Sequence, residues 1–108
     1  MKKLKEQLKT YCELHWWNMR KKTLSFKGDL ASLLKYQKIK YTCTRTDSEY
    51  LYKFRFTNLN GITFVQRGTL LDFPHLAKQF IQMELVRMGY KSQLYVEGCW
   101  RPKVTVNF

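Results

Sequence analysis

Two alternating runs carry the side chains best suited to chemistry. Lys38, Lys40, Thr42 and Thr44 alternate with Ile39, Tyr41 and Cys43, and Lys53, Arg55 and Thr57 alternate with Tyr52, Phe54 and Phe56. Residues two apart on an extended chain project to the same side. Ammonium, guanidinium and hydroxyl groups arrayed that way all donate to phosphate oxygens. Catalysis has no comparable set. The acids are scattered as Glu6, Glu13, Asp29, Asp47, Glu49, Asp72, Glu84 and Glu97, and no nucleophile, base and orienting group recur at a usable spacing. Asp47 and Glu49 read as a polar turn, His15 as part of a helical stripe and His75 as a solvated first-turn residue. The chain has no Gly-rich phosphate loop. Cys12, Cys43 and Cys99 are odd in number and far apart, without a C-x-x-C pair. They read as reduced thiols, and neither a metal site nor a cofactor is expected.

Charge gives the alternating runs their meaning. Twenty Lys and Arg against eight Asp and Glu give a formal net charge of +12 in 108 residues. A field of that sign favours polyanionic partners and salt-sensitive association. With 44% apolar and 16% aromatic residues, the chain has the material for one modest core. A single compact domain over residues 1–108 is expected. The basic N-terminus lacks an unbroken apolar run, and nothing approaches a membrane span, so a cytoplasmic or nuclear setting is expected.

The elements that must position these residues follow from periodicity. Leu4, Leu8, Tyr11, Cys12, His15 and Met19 recur at spacings of three and four, which predicts an N-terminal helix over residues 1–22. On such a helix Trp16 and Trp17 point about 100° apart, leaving one for a partner interface. A break at Ser25 to Gly28 precedes a brief helix capped by Asp29 and carrying Leu30, Leu33 and Leu34. Strands are predicted from Lys38 to Arg45 and from Tyr50 to Thr57. The Asn60-Gly61 turn and a third strand at Ile62 to Val65 complete a meander. Asp72 and Pro74 open a helix running to Gly89, with Phe73, Leu76, Ala77, Phe80 and Met83 inward and His75, Lys78, Gln79, Gln82 and Arg87 outward. A C-terminal hairpin is predicted over residues 92–108, joining Gln93 to Glu97 with Lys103 to Phe108. The fold class is α+β: an antiparallel sheet, made of the meander and that hairpin, with helices packed on one face.

The order helix, three antiparallel strands, helix over residues 28–89 resembles a double-stranded-RNA-binding domain. The likeness is carried by NGITF, Asn60 to Phe64, then Gly68, and by HLAKQF, His75 to Phe80. The family's last helix opens with a Lys-Lys-x-Ala-Lys run; this chain keeps Ala77 and Lys78 but has Pro74 and His75 where the leading lysines would stand. Its loop between the first two strands is Thr46-Asp47-Ser48-Glu49, without the family's Gly-Pro-x-His element. The resemblance implies that Lys78 and His75 contact phosphates across the major groove while the first helix touches the minor groove.

Taken together, the residues point to a non-enzymatic nucleic-acid-binding module, with RNA favoured over DNA. Lys38, Lys40, Lys53, Arg55, His75 and Lys78 are its candidate contacts. The alternative is a small inhibitor or adaptor that meets a larger protein or ribonucleoprotein through a basic and aromatic surface, with Trp16, Trp17 and Trp100 as contacts.

Overall fold

The computed structural model describes residues 8–18 and 23–97. Among the described residues the strands and longer helices run in the order β1 (Tyr11–Trp17), β2 (Thr23–Asp29), α1 (Leu30–Tyr36), β3 (Lys40–Arg45), β4 (Tyr52–Thr57), β5 (Thr63–Gly68), α2 (Phe73–Arg87) and β6 (Lys91–Glu97). The strands form two antiparallel three-stranded sheets, ordered β2-β1-β6 and β3-β4-β5. The fold is therefore α+β with helices packed on strands, as the sequence predicts, but it has two sheets rather than one.

The first departure is at the N-terminal end, where Tyr11–Trp17 is a strand and not a helix. Period two wins over period three and four because Cys12, Leu14 and Trp16 all bury, while Tyr11, Glu13, His15 and Trp17 face outward. As the central strand of its sheet, β1 has both edges paired, which satisfies its backbone without helical bonds. The predicted break at Ser25 to Gly28 is likewise part of β2, pairing Phe26 with Leu14 and Gly28 with Cys12. At the other end, β6 pairs with β1 instead of extending the meander. The proposed second hairpin strand, Lys103 to Phe108, lies outside the described residues.

Elsewhere the local signals act as read. Asp29 caps α1, its Oδ1 accepting from the Ser32 N–H at 2.7 Å, and Leu30, Leu33 and Leu34 bury. The turn between β4 and β5 is organised by buried Asn58, whose Oδ1 accepts from the N–H groups of Asn60 and Ile62, both at 2.9 Å. Gly61 supplies the left-handed residue this turn needs, with φ of 81°. Both helices end in the same six-residue closure. After α1, Lys38 N–H reaches Lys35 C=O and Ile39 N–H reaches Leu34 C=O; after α2, Gly89 and Tyr90 do the same to Val86 and Leu85.

Helix α2 lies where both sheets meet it. Phe73 sits with ring centroids 5.2 Å from Tyr41, 5.3 Å from Phe54 and 5.4 Å from Phe56, and Phe80 stacks on Phe56 and Phe64 at 6.0 Å. Each such pair contributes about 0.5–1.5 kcal/mol beyond its buried area. The aromatic side of the meander thus packs on the core, with Phe54 and Phe56 fully buried and Tyr41, Tyr52 and Phe64 partly so, and its other side is left to solvent. Trp16 and Phe26 meet Tyr36 at 5.9 and 5.3 Å, which fastens the end of α1 to the first sheet.

Candidate functional site

The register of the meander places nine outward positions on a three-by-three lattice. Lys40, Thr57 and Thr63 form one row, Thr42, Arg55 and Val65 the next, and Thr44, Lys53 and Arg67 the third. Eight of the nine are exposed and Thr57 is half-buried. The lattice holds four cations, four threonines, one valine and no acid. With strands about 4.8 Å apart and alternate residues about 6.8 Å apart, Lys40 and Arg67 stand at opposite corners, about 16 Å from one another at Cα. Lys53 and Arg55 lie between them on the central strand. None of the four cations forms an ion pair among the described residues. Side-chain hydrogen bonding on this face is local, with Thr57 and Thr63 hydroxyls 3.4 Å apart across the two strands.

The outward face of the first sheet has a different chemistry. Glu13 Oε1 lies 3.3 Å from His15 Nε2 and 3.6 Å from Lys27 Nζ, so its acid is balanced on the spot. Tyr11 and Tyr95 are exposed on the same face, and Trp17 is half-buried there. This face combines aromatic side chains, an engaged acid and the exposed Lys91, whereas the meander's outer face has four cations and no acid.

The sequence candidates sort accordingly. Lys40, Lys53 and Arg55 share the meander's outer face. Lys38 is exposed just before β3, in the left-handed conformation with φ of 56°. His75 and Lys78 lie on α2, on the inner side of the meander and away from that lattice. Lys78 corrects the expectation of a solvated helix face, for it is only 6% exposed. The reason is that α2 packs against both sheets, which widens its buried arc to take in Pro74, Lys78, Ile81 and Leu85 and turns Met83 out to solvent. Burial pushes the Lys78 ammonium down to about 8, with the Cys12 thiol acting in the opposite direction. Burial pushes Cys12 up to about 12; Asp29 adds to the rise and Lys78 opposes it. His75 is half-buried, with Nε2 3.4 Å from Gln79 Nε2.

Trp16 is corrected too, since it is a core residue at 5% exposure and unable to meet a partner. Trp100 lies outside the described residues. Sequence reasoning missed Arg67 and Thr63. The signal was available, because a tight turn at Asn60-Gly61 opposes Thr57 to Thr63 and therefore Lys53 to Arg67; stopping the third strand at Val65 hid it.

Among the described residues, no group of three or more His, Cys, Asp and Glu side chains could hold a metal ion, and no helix is long and apolar enough to cross a membrane. Comparison with protein-family models, curated proteins and solved structures finds no match to this chain.

Proposed function

We propose that the chain is a non-enzymatic nucleic-acid-binding module that holds the phosphate backbone on the outer face of the β3-β4-β5 meander. The carrying observation is the acid-free lattice of Lys40, Lys53, Arg55 and Arg67 among threonines, uncompensated by any ion pair among the described residues. Lysine supplies point charges, arginine a planar fork, and threonine hydroxyls a shorter-range donor, which is the set that phosphate oxygens accept from. Lys38 adds an exposed cation just before β3.

The face has no aromatic side chain on which an unpaired base could stack. Backbone contact without stacking favours a duplex over a single strand, and the order α1, β3, β4, β5, α2 supports duplex RNA as the first ligand to try. The mode differs from the one the family resemblance implies, since buried Lys78 leaves the start of α2 without its second phosphate contact.

The test is a titration of the chain against labelled duplex RNA, duplex DNA and single-stranded RNA at two salt concentrations. Micromolar or tighter binding to a duplex, weakening steeply with salt and lost on Lys53→Glu plus Arg55→Glu, is the expected result. No binding to any of the three at low salt overturns the proposal.

A further inference from the structure

The exposed side of α2 carries an inference that does not depend on the meander. Gln79, Gln82, Met83, Val86 and Arg87 recur at spacings of three and four, so they form one stripe, and together they line an open groove of about 620 Å³. Val86 is nine residues beyond buried Ala77, about 180° around the helix. Val86 therefore faces away from the core, while Gln79 and Gln82 form the half-buried side of the groove. Met83 is 48% exposed, Val86 67% and Met88, at the helix end, 58%. Single exposed apolar residues need no explanation, but Met83 and Val86 stand side by side in this groove, with Met88 exposed just beyond it. The Gln82 Nε2 to Ser92 Oγ contact at 3.5 Å ties the groove to the start of β6, so it sits on a braced helix rather than on a loop.

Charge selects the occupant. Arg87 lines the groove and no acid does. The acid of α2, Glu84, turns inward; burial pushes its carboxyl up, with hydrogen bonding from Asn58 and the charge of Arg87 opposing the rise. A second copy of a +12 chain would bring like charge to the groove. We infer that this groove docks an acidic amphipathic helix of a protein partner, whose apolar side chains pack on Met83 and Val86 while its carboxylates meet Arg87. Methionine suits such a surface because its flexible thioether adapts to the anchor presented. Gln79 to Arg87 spans about 12 Å along the axis, enough for two turns of the incoming helix. Because the groove and the basic lattice lie on opposite sides of the α2 and meander layers, both can be occupied at once.

The probe is a labelled synthetic helix of about sixteen residues, long enough to be helical in part, with leucines on one stripe and glutamates flanking them. One control peptide replaces the glutamates with lysine, and another replaces the leucines with glutamine. Val86→Asp and Met83→Asp change exposed side chains, and circular dichroism checks that both variants stay folded. Binding of the acidic peptide, weakened about tenfold or more by either variant and by removal of the leucines, is the expected result. Lys53→Gln plus Arg55→Gln should leave that binding within about twofold. Equal binding of the leucine-free peptide, or loss in the meander variant alone, would show charge attraction without docking and overturn the inference. So would no binding at all, or a dimer seen by sedimentation that Val86→Asp dissociates, since the second copy would then be the occupant.

Discussion

Neutralising the centre of the lattice should change the salt dependence of duplex binding, and by a calculable amount. Lys53→Gln plus Arg55→Gln removes two of four cations from exposed positions on the central strand, where neither makes an ion pair among the described residues. The inner face with Phe54 and Phe56 is untouched, so the fold should hold. If the four cations neutralise four phosphates of duplex DNA, log K falls against log salt with a slope of about −3.6; with two remaining the slope is about −1.8. Raising monovalent salt from about 50 to about 200 mM then weakens the native chain about 150-fold and the double variant only about 12-fold. Fluorescence anisotropy with a short labelled duplex at several salt concentrations measures both slopes, and the two proteins should converge as salt rises. An unchanged slope in the double variant would refute the assignment of the lattice as the contact surface. A slope well above four charges would show that cations outside the meander take part.

Further outcomes follow from particular residues. Lys78, pushed down to about 8 from 10.5, makes the folded chain bind fewer protons than the unfolded one over that interval, so stability should rise with pH there. Cys12, pushed up to about 12 from 9.0, makes the folded chain bind more and stability fall between those values. Urea midpoints should therefore climb from pH 8 to pH 9 and flatten above it; Lys78→Met should abolish the climb, and Cys12→Ala should extend it toward pH 10.5. Asn58→Ala removes the acceptor for two turn N–H groups at a buried site and should destabilise by about 2–3 kcal/mol in urea denaturation. Lys38→Gly relieves a left-handed residue and should stabilise by about 1 kcal/mol by the same measurement, while weakening duplex binding at low salt. Asp47→Asn plus Glu49→Gln removes two exposed acids from the loop beside Thr44 and Lys53 and should tighten duplex binding about threefold in anisotropy titrations at low salt.

The middle of the fold was legible because each element there announces itself locally. Tyr52 to Thr57 alternates without interruption, Asn60-Gly61 supplies the turn, and Asp29 and Gly89 mark helix ends by capping chemistry. The first strand was not legible for a definite reason. Tyr11, Cys12 and His15 match helical spacing as well as Cys12, Leu14 and Trp16 match a strand, and only pairing with β2 and β6, distant in sequence, decides between them. β2 was hidden by Ser25, Lys27 and Gly28, since an edge strand needs few apolar residues. Lys78 was misplaced because a helix packed on one layer exposes that position, whereas one packed between two buries it. Three of the four lattice cations were in view from the sequence, and the fourth, Arg67, needed the register.

Four of the eight acids are engaged away from the meander's outer face, which bears on how the charge of so basic a chain is distributed. Asp29 accepts from the N-terminus of α1, Asp72 Oδ2 from the N–H and hydroxyl of Thr69 at 2.8 and 3.0 Å, and Glu84 turns toward Asn58. Glu13 is engaged with His15 and Lys27 on the first sheet. Each of these acids is occupied in a local structural bond away from the meander's outer face, so none is available to compensate Lys40, Lys53, Arg55 and Arg67. Under the proposed function, a polyanion is attracted by the whole chain and oriented by that acid-free face, with the exposed acids Asp47 and Glu49 in the loop at its edge opposing the attraction there. Orientation of this kind governs the rate and geometry of encounter, and it follows from where the fold places its few acids as much as from the number of its lysines.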